Sequence, residues 1–325
     1  MAIPRDRIAQ IFREKDDFLV ASHVSPDGDA LGSTAAVGHI LSQLGKTFTL
    51  YNVSGMSSQY EWMPMLGGLY DRLPEKGFSF AIVLDCGALS RIGDDLARAI
   101  DPANSLIIDH HLGNPGFGIV DWVDTIYSST GEMVAELADA LGVPLTGDLA
   151  EAVYAAVVTD TGYFSYGHTR PETLELAARL MRNGLDVGAV NAKIQNQWSL
   201  GRIRLFTKVL GGLALHLDGQ AGAIRITRAL LDATGAKAED CDGLINYALR
   251  VKGVKMAVSV RETANGQVKF SLRSLGDINV QQIAARFGGG GHKNASGGSI
   301  MAEAAEAERL LLAAASEVLE AGAHG

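Results

Sequence analysis

Residues 17–33 read DFLVASHVSPDGDALGS. Asp17–His23 is an apolar run without polar alternation, the pattern of a strand covered on both faces. Pro26-Asp27-Gly28-Asp29 ends it, and a helical stretch from Ala30 to Leu44 follows, closed by Gly45. Working outward, Thr47–Val53, Phe78–Leu84 and Ser105–Ile108 repeat the buried-strand pattern, and 5–15, 131–141 and 148–159 read as helices. Strands alternating with helices predict an α/β domain with a doubly wound parallel sheet. A further helix is expected to open at Thr169-Arg170-Pro171-Glu172, with Thr169 as cap, Pro171 in the first turn and Glu172 completing a capping box; Asn183-Gly184 ends it.

Residues 187–212 stay helical with no strand between, as a connecting element would. Beyond them the character changes. Leu213–Asp218 and Ala221–Thr227 flank a turn at Asp218-Gly219, and Lys255–Thr263 and Gln267–Arg273 flank Asn265-Gly266, a hairpin signal. With helical stretches near 240–251, 279–287 and 303–321, this predicts a smaller α+β domain with an antiparallel sheet. The expected division is 1–190 for the first domain, 191–212 for a helical connector and 213–325 for the second domain.

The composition narrows the function. The chain has 28 Lys and Arg against 37 Asp and Glu, a formal charge of −9. Proteins that grip long nucleic acid through its phosphates show the opposite balance, so long nucleic acid is not an expected partner. Cys86 and Cys241 make neither a disulfide framework nor a zinc site; they read as buried free thiols in a reducing cytoplasm. The N-terminus has no secretion-signal pattern and no apolar stretch is long enough to span a bilayer, so the expected location is cytoplasmic, with no membrane partner. A homodimer is compatible with the sequence.

Residues able to bind metal gather where strands end. His23, Asp27 and Asp29 lie within seven residues after the first strand, with Gly28 expected to let the loop turn. Asp85 follows the third strand, and Asp109-His110-His111 ends the fourth. Ligands in open α/β sheets collect at the carboxyl ends of strands. Asp160, in VVTDTGYF, closes an apolar helix where the dipole disfavours a carboxylate unless a cation is near. Two imidazoles and four carboxylates suffice for two divalent ions sharing one carboxylate, and mixed N/O ligands suit Mn²⁺, with Mg²⁺ or Co²⁺ as alternatives. His39, His168, His216 and His324 lack metal-like neighbours and read as structural.

These motifs resemble the DHH phosphoesterase family. HVSPDGDALGS, VLDCG, Asp109-His110-His111 and VVTDTGYF look like its four motifs in order, and FGGGGHKNASG at 287–297 looks like the signature of the associated DHHA1 domain. Within the family, the two-domain layout, STGEMVAEL at 129–137 and Arg273-Ser274 are similar to the nanoRNases, which hydrolyse very short RNAs and dephosphorylate 3'-phosphoadenosine 5'-phosphate (pAp). The resemblance implies that His23 and Asp27 hold one metal, that Asp29, His110 and Asp160 hold the other, and that Asp85 bridges both. It implies that His111 faces the scissile phosphate and that Asp109 orients a histidine from behind.

Two cations sharing a water would lower its pKa, and the resulting bridging hydroxide would attack phosphorus in line. The second domain would select the substrate. Gly289, Gly290 and Gly291 present backbone N–H groups for a phosphate, with His292 adding a donor. Arg273 is the expected clamp for a terminal phosphate, and Arg91 a further one. Substrates of a few nucleotides would engage both domains, and longer ones would gain little from an acidic surface. Two alternatives compete with this reading: a cyclic or linear dinucleotide phosphodiesterase, and a non-catalytic nucleotide sensor that keeps the metals for binding.

Overall fold

Alternate residues of the strand Phe18–Ser22 (β1) enter two different cores, which explains the absence of polar alternation. Phe18 and Val20 join one core, Leu19 and Ala21 the other. The computed structural model describes residues 4–196, 198–263 and 265–322, and only the backbone of 292, 321 and 322. The chain divides into two units, Met1–Gln197 and Trp198–Gly325.

The first unit runs α1 (Pro4–Glu14), β1, α2 (Gly28–Gln43), β2 (Phe48–Tyr51), β3 (Leu69–Tyr70), β4 (Phe80–Leu84), α3 (Asp94–Ala99), β5 (Ser105–Asp109), β6 (Val120–Val123), α4 (Thr130–Leu141), α5 (Gly147–Asp160), α6 (Pro171–Arg182) and α7 (Val187–Gln195). Its sheet has the order β3-β2-β1-β4-β5-β6, every pair parallel. Helices α1, α2, α4 and α5 cover the face that takes Phe18, Val20, Ile82 and Ile108. Helix α3 covers the other through Leu96, packed with Leu19, Val83 and Ile107. The sheet is therefore doubly wound. The connection from β1 leaves toward β2, while the chain returns to β4 on the opposite side. That reversal opens a crevice at the carboxyl ends of β1 and β4, where ligands of such sheets bind.

Helix α6 starts one residue later than its expected cap. Arg170 is the N-cap, and its N–H donates to the hydroxyl of Thr173 (3.3 Å), while Thr169 Oγ1 is buried without a partner. Glu172 instead faces the Arg170 guanidinium at 3.7 Å.

The second unit runs α8 (Leu200–Gly211), β7 (Ala214–His216), β8 (Ala221–Ile226), α9 (Arg228–Thr234), α10 (Leu244–Leu249), β9 (Met256–Glu262), β10 (Val268–Ser274), α11 (Gln281–Arg286), β11 (Gly290–His292), β12 (Ala295–Ile300) and α12 (Ala304–Gly322). The sheet order is β11-β12-β10-β9-β8-β7. Its pairs are antiparallel with one exception: β8 and β9 are parallel, because α9 and α10 carry the chain back between them. One face packs Val258, Val260, Phe270 and Leu272 under α11 and α12. The other packs Ile224, Ile226 and Ala257 against α8 and α10. The stretch expected as a connector contains two helices with different allegiance. Val190 of α7 belongs to the first unit's core, whereas Leu205, Phe206 and Val209 of α8 belong to the second unit's.

Candidate metal centre

The strand ends deliver the side chains. His23 directly follows β1, Asp85 follows β4, and Asp109 closes β5 ahead of His110 and His111. The Val24 N–H donates to the Arg91 carbonyl (2.7 Å) and Asn52 Nδ2 to the His23 carbonyl (2.9 Å), so the loop after β1 is fastened from two directions. The Asp85 N–H donates to the Ile108 carbonyl (3.0 Å), which continues the β4–β5 ladder one residue past the strand. Asp85 itself adopts φ +51°, a left-handed conformation uncommon outside glycine.

Helix termini fix the carboxylates. Asp27 caps α2, its Oδ1 accepting from the N–H groups of Asp29 and Ala30 (3.1 Å each). Asp29, in the first turn of α2, is buried. Its Oδ2 accepts from Thr130 N–H (2.7 Å), and its Oδ1 from Gly131 N–H (2.9 Å) and the Ser33 hydroxyl (3.1 Å). The N-terminus of α4 thus cradles this carboxylate with its unpaired amides and positive dipole end. Asp160 is the last residue of α5.

Gly28 has a reason other than the turn expected of it, since its φ is not positive. A Cβ there would come within 2.3 Å of Thr159 Oγ1, so the glycine lets the start of α2 lie against the end of α5 beside Asp160. A Cβ at Gly131 would fall 2.4 Å from that of Ala156, which closes α4 onto α5 in the same way.

The six expected ligands come together in overlapping groups whose donor atoms lie within 4.8 Å of one another: His23, Asp27 and Asp85; Asp29, His110 and Asp160; and Asp85, His110 and His111. His23 Nε2 stands 3.8 Å from Asp27 Oδ2 and 3.6 Å from Asp85 Oδ2. His110 Nε2 stands 3.7 Å from Asp29 Oδ2, 3.6 Å from Asp85 Oδ1 and 3.4 Å from Asp160 Oδ2. Each imidazole also has Nδ1 near a carbonyl, Val24 at 2.9 Å and Tyr127 at 3.3 Å. That places N–H at Nδ1 and aims Nε2 into the cluster, the orientation a metal-ligating histidine needs.

The electrostatics fit a cation. Burial, reinforced by Asp85, Asp160 and Asp27, pushes Asp29 well above the ordinary carboxylate range. Burial also raises Asp160 to about 7, Asp85 and Asp27 adding to it against the pull of His110. Burial opposes a charge on His23, but Asp27 and Asp85 outweigh it and raise that group to about 10. The raised values of Asp29, Asp160 and His23 favour protons at these groups in the absence of a cation, and a divalent ion would compete for the same positions.

His111 is set back from the six. Its Nδ1 donates to Asp109 Oδ1 (2.8 Å) and lies 3.5 Å from Asp85 Oδ1. Asp109 is fully buried, and its second oxygen accepts from Asn114 Nδ2 (2.6 Å). Burial works against both charges, yet the pair outweighs it: His111 is raised and Asp109 lowered. The exposed Arg91 guanidinium is near enough to oppose the charge on His111. Burial lifts the Cys86 thiol to about 11, which leaves it a structural residue and no nucleophile.

Several contributors escaped the sequence reading. Thr130 donates its hydroxyl to Asp85 Oδ1 (3.3 Å) in addition to its amide contact with Asp29. His168, set aside as structural, places Nε2 3.2 Å from the Asp160 carbonyl and 3.8 Å from Asp160 Oδ2. The segment STGEMVAEL could have pointed to Thr130, because Ser129 caps the helix and marks where its free amides lie.

In the second unit, the glycine run is only partly open. Gly288 and Gly289 donate to Ala285 and Ala284 at the end of α11, and Gly290, Gly291 and the backbone of His292 form the edge strand β11 on β12. The His292 side chain and His324 lie outside what is described. Arg273 lies within β10 and donates from Nη1 to the Leu272 carbonyl (3.0 Å).

Known proteins resemble this chain along nearly its whole length. The family model "DHH family, N-terminal domain" matches residues 17–157, and that of the DHHA1 domain matches 225–321. A Thermus thermophilus protein named bifunctional oligoribonuclease and PAP phosphatase NrnA is 33% identical over 310 residues, 93% of this chain and 90% of that protein. The protein of the same name from Bacillus subtilis is 29% identical over 301 residues, 91% of this chain and 93% of its own length. The crystal structure of an exopolyphosphatase-related protein from Bacteroides fragilis matches with a TM-score of 0.90 and 30% identity, covering 96% of this chain and 95% of that one. RecJ from Thermus thermophilus in complex with Mn²⁺ shares the fold at a TM-score of 0.57 and 14% identity.

Proposed function

The chain belongs to the DHH family, a family of phosphoesterases, with a DHHA1 domain as its second half, and from that premise we propose that it hydrolyses short oligoribonucleotides and pAp at a centre of two divalent cations. The observation that carries the reading is the set of overlapping donor groups joined through Asp85 and His110. His23 and Asp27 would hold one ion, Asp29, His110 and Asp160 the other, and Asp85 would serve both. Bound there, Mn²⁺ or a similar ion supplies a nucleophile at neutral pH and offsets charge on the phosphoryl oxygens.

The chain's own residues do the rest. Asp109 fixes the His111 tautomer by taking Nδ1–H, which leaves Nε2 to meet the phosphoryl group. The contact with Asp109 shifts the His111 pKa upward; in its protonated form His111 would donate a hydrogen bond to a phosphoryl oxygen or a proton to the leaving oxygen. Arg91 adds a positive charge on the same side for the substrate phosphate. Arg273, with the backbone of Gly290 and Gly291 and with His292, is the proposed anchor for the terminal phosphate of the substrate; the Gly289 N–H is already given to the Ala284 carbonyl.

The test is turnover of pAp and of a diribonucleotide with Mn²⁺, against cyclic dinucleotides and pyrophosphate. Asp85→Ala should lower kcat about a thousandfold or more on every substrate. Preferred turnover of a cyclic dinucleotide would replace the nanoRNase reading with the phosphodiesterase one. Binding without turnover would leave a sensor.

A further inference from the structure

The second unit carries a polar pocket that none of the roles above uses. In β10, Val268, Phe270 and Leu272 point into the core under α11 and α12, so Lys269, Ser271 and Arg273 share the opposite face. Side chains two residues apart on a strand repeat at about 6.7 Å. Arg273, Ser271 and Lys269 therefore form an evenly spaced row. Cross-strand partners extend it sideways: Ala257 and Ala295 beside Arg273, Ser259 and Gly297 beside Ser271, Arg261 and Ser299 beside Lys269. The flanking residues are small except at the Lys269 end.

At that end lies a cavity of about 320 Å³ lined by Ser259, Arg261, Lys269, Ser271, Ser299 and Asp242. Its volume is that of a small ligand site. Ser259 is only 9% exposed; among the described residues its hydroxyl and those of Ser271 and Ser299 make no hydrogen bond, while the Lys269 ammonium acts on Asp242. Ser271 is half-buried and Ser299 exposed, so this row of hydroxyls is open to an incoming ligand. Arg261 is held in place by donating Nη1 to the Ala238 carbonyl (2.5 Å). Asp242 is the one carboxylate in the lining, and Arg261, Arg202 and Lys269 all act on it, so positive charge is in excess at the pocket.

Two cations and three hydroxyls, in register with Arg273 and walled by Ile226, Cys241, Phe270 and Gly298, suit a tetrahedral anion. We propose that this pocket is a second phosphate subsite: Arg273 holds the terminal phosphate of pAp, and in a longer single strand, whose phosphate at Arg273 is internal, the pocket takes a phosphate further along the chain. The proposal rests on the oligoribonuclease reading and adds to it a count: pAp, with no internucleotide phosphate, leaves the Lys269 end empty, whereas a tetranucleotide fills it.

Lys269→Ala tests it, because Lys269 is exposed and its loss leaves the core intact. Equilibrium binding to the Mn²⁺-loaded full chain would be measured across salt concentrations for pAp, a phosphorothioate-linked tetraribonucleotide that resists hydrolysis, and inorganic phosphate. The variant should bind the tetranucleotide about threefold to fivefold more weakly. The slope of log K against log salt should shrink by about 0.7, one contact on a single strand. Affinity for pAp should not change. Equal losses on pAp and tetranucleotide, an unchanged salt slope, or a loss confined to inorganic phosphate would each overturn the subsite. Turnover of pAp and diribonucleotide by the unaltered protein reports separately on the activity, so failure of that reading is distinguishable from failure of this one.

Discussion

Asp109 and His111 hold each other ionised in a place that disfavours charge. Asp109 has no exposed surface, yet its contacts with His111 and Asn114 keep its carboxyl below the ordinary range, and its charge keeps His111 above its own. Asp109→Asn removes the charge while conserving the shape. Without it, Asp85 alone is left to oppose burial and Arg91, the His111 pKa falls, and the proton is lost at a lower pH. Since protonated His111 is the proposed acid, the alkaline limb of kcat against pH should move to lower pH, and kcat at neutrality should fall about 10- to 100-fold, as for other residues that orient a reacting group from behind. Manganese content should be retained. Profiles of kcat from pH 5 to 10, with metal analysis of both proteins, decide it; an alkaline limb that stays in place would remove His111 from the chemistry.

At the scale of elements, the centre depends on three helices meeting without side chains between them. Gly131→Ala sets a Cβ 2.4 Å from that of Ala156, and α4 would have to retreat from α5. Such overpacking costs about 1–3 kcal/mol. The retreat also withdraws the Thr130 and Gly131 amides from Asp29, so metal affinity should fall along with the melting temperature. A variant that melts earlier but binds Mn²⁺ as before would show that the amides do not position Asp29. The same elements explain what the sequence disclosed. β1, β4 and β5 were legible because both faces of each are buried, which leaves a short unbroken apolar run such as FAIVL bounded by polar residues. β3 is two residues long and β6 carries Asp121 among half-buried neighbours, so neither left a clear pattern. The parallel pairing of β8 with β9 depends on a crossover, which no local spacing encodes. The ligand side chains were legible as polar residues stranded at the ends of apolar runs. The α4 amides were not, because a backbone N–H has no letter, and His168 reaches Asp160 through an irregular turn with no periodicity to read.

For the whole molecule, a formal charge of −9 meets a centre whose acids and His23 favour protons when no metal is bound. Asp160 has its pKa raised in the folded state to about 7. Its contribution to stability is therefore complete below the unfolded carboxylate value and is lost as pH rises through about 7. His23, raised from 6.5 to about 10, contributes below 6.5 and loses that contribution on the way to pH 10. Both signs agree: the metal-free protein should melt progressively earlier as pH increases from 4 to 10. Divalent ions reverse the dependence, since they bind the deprotonated ligands and add about 2.7 kcal/mol at a hundredfold excess over Kd. Manganese binding near pH 6.5 should accordingly expel protons. Titration calorimetry in buffers of different ionisation enthalpy measures the number released, and thermal melts with and without chelator measure the stability. Binding with no proton release at pH 6.5 would mean that the carboxylates and His23 are not where the ions go, and the proposed centre would have to be given up with them.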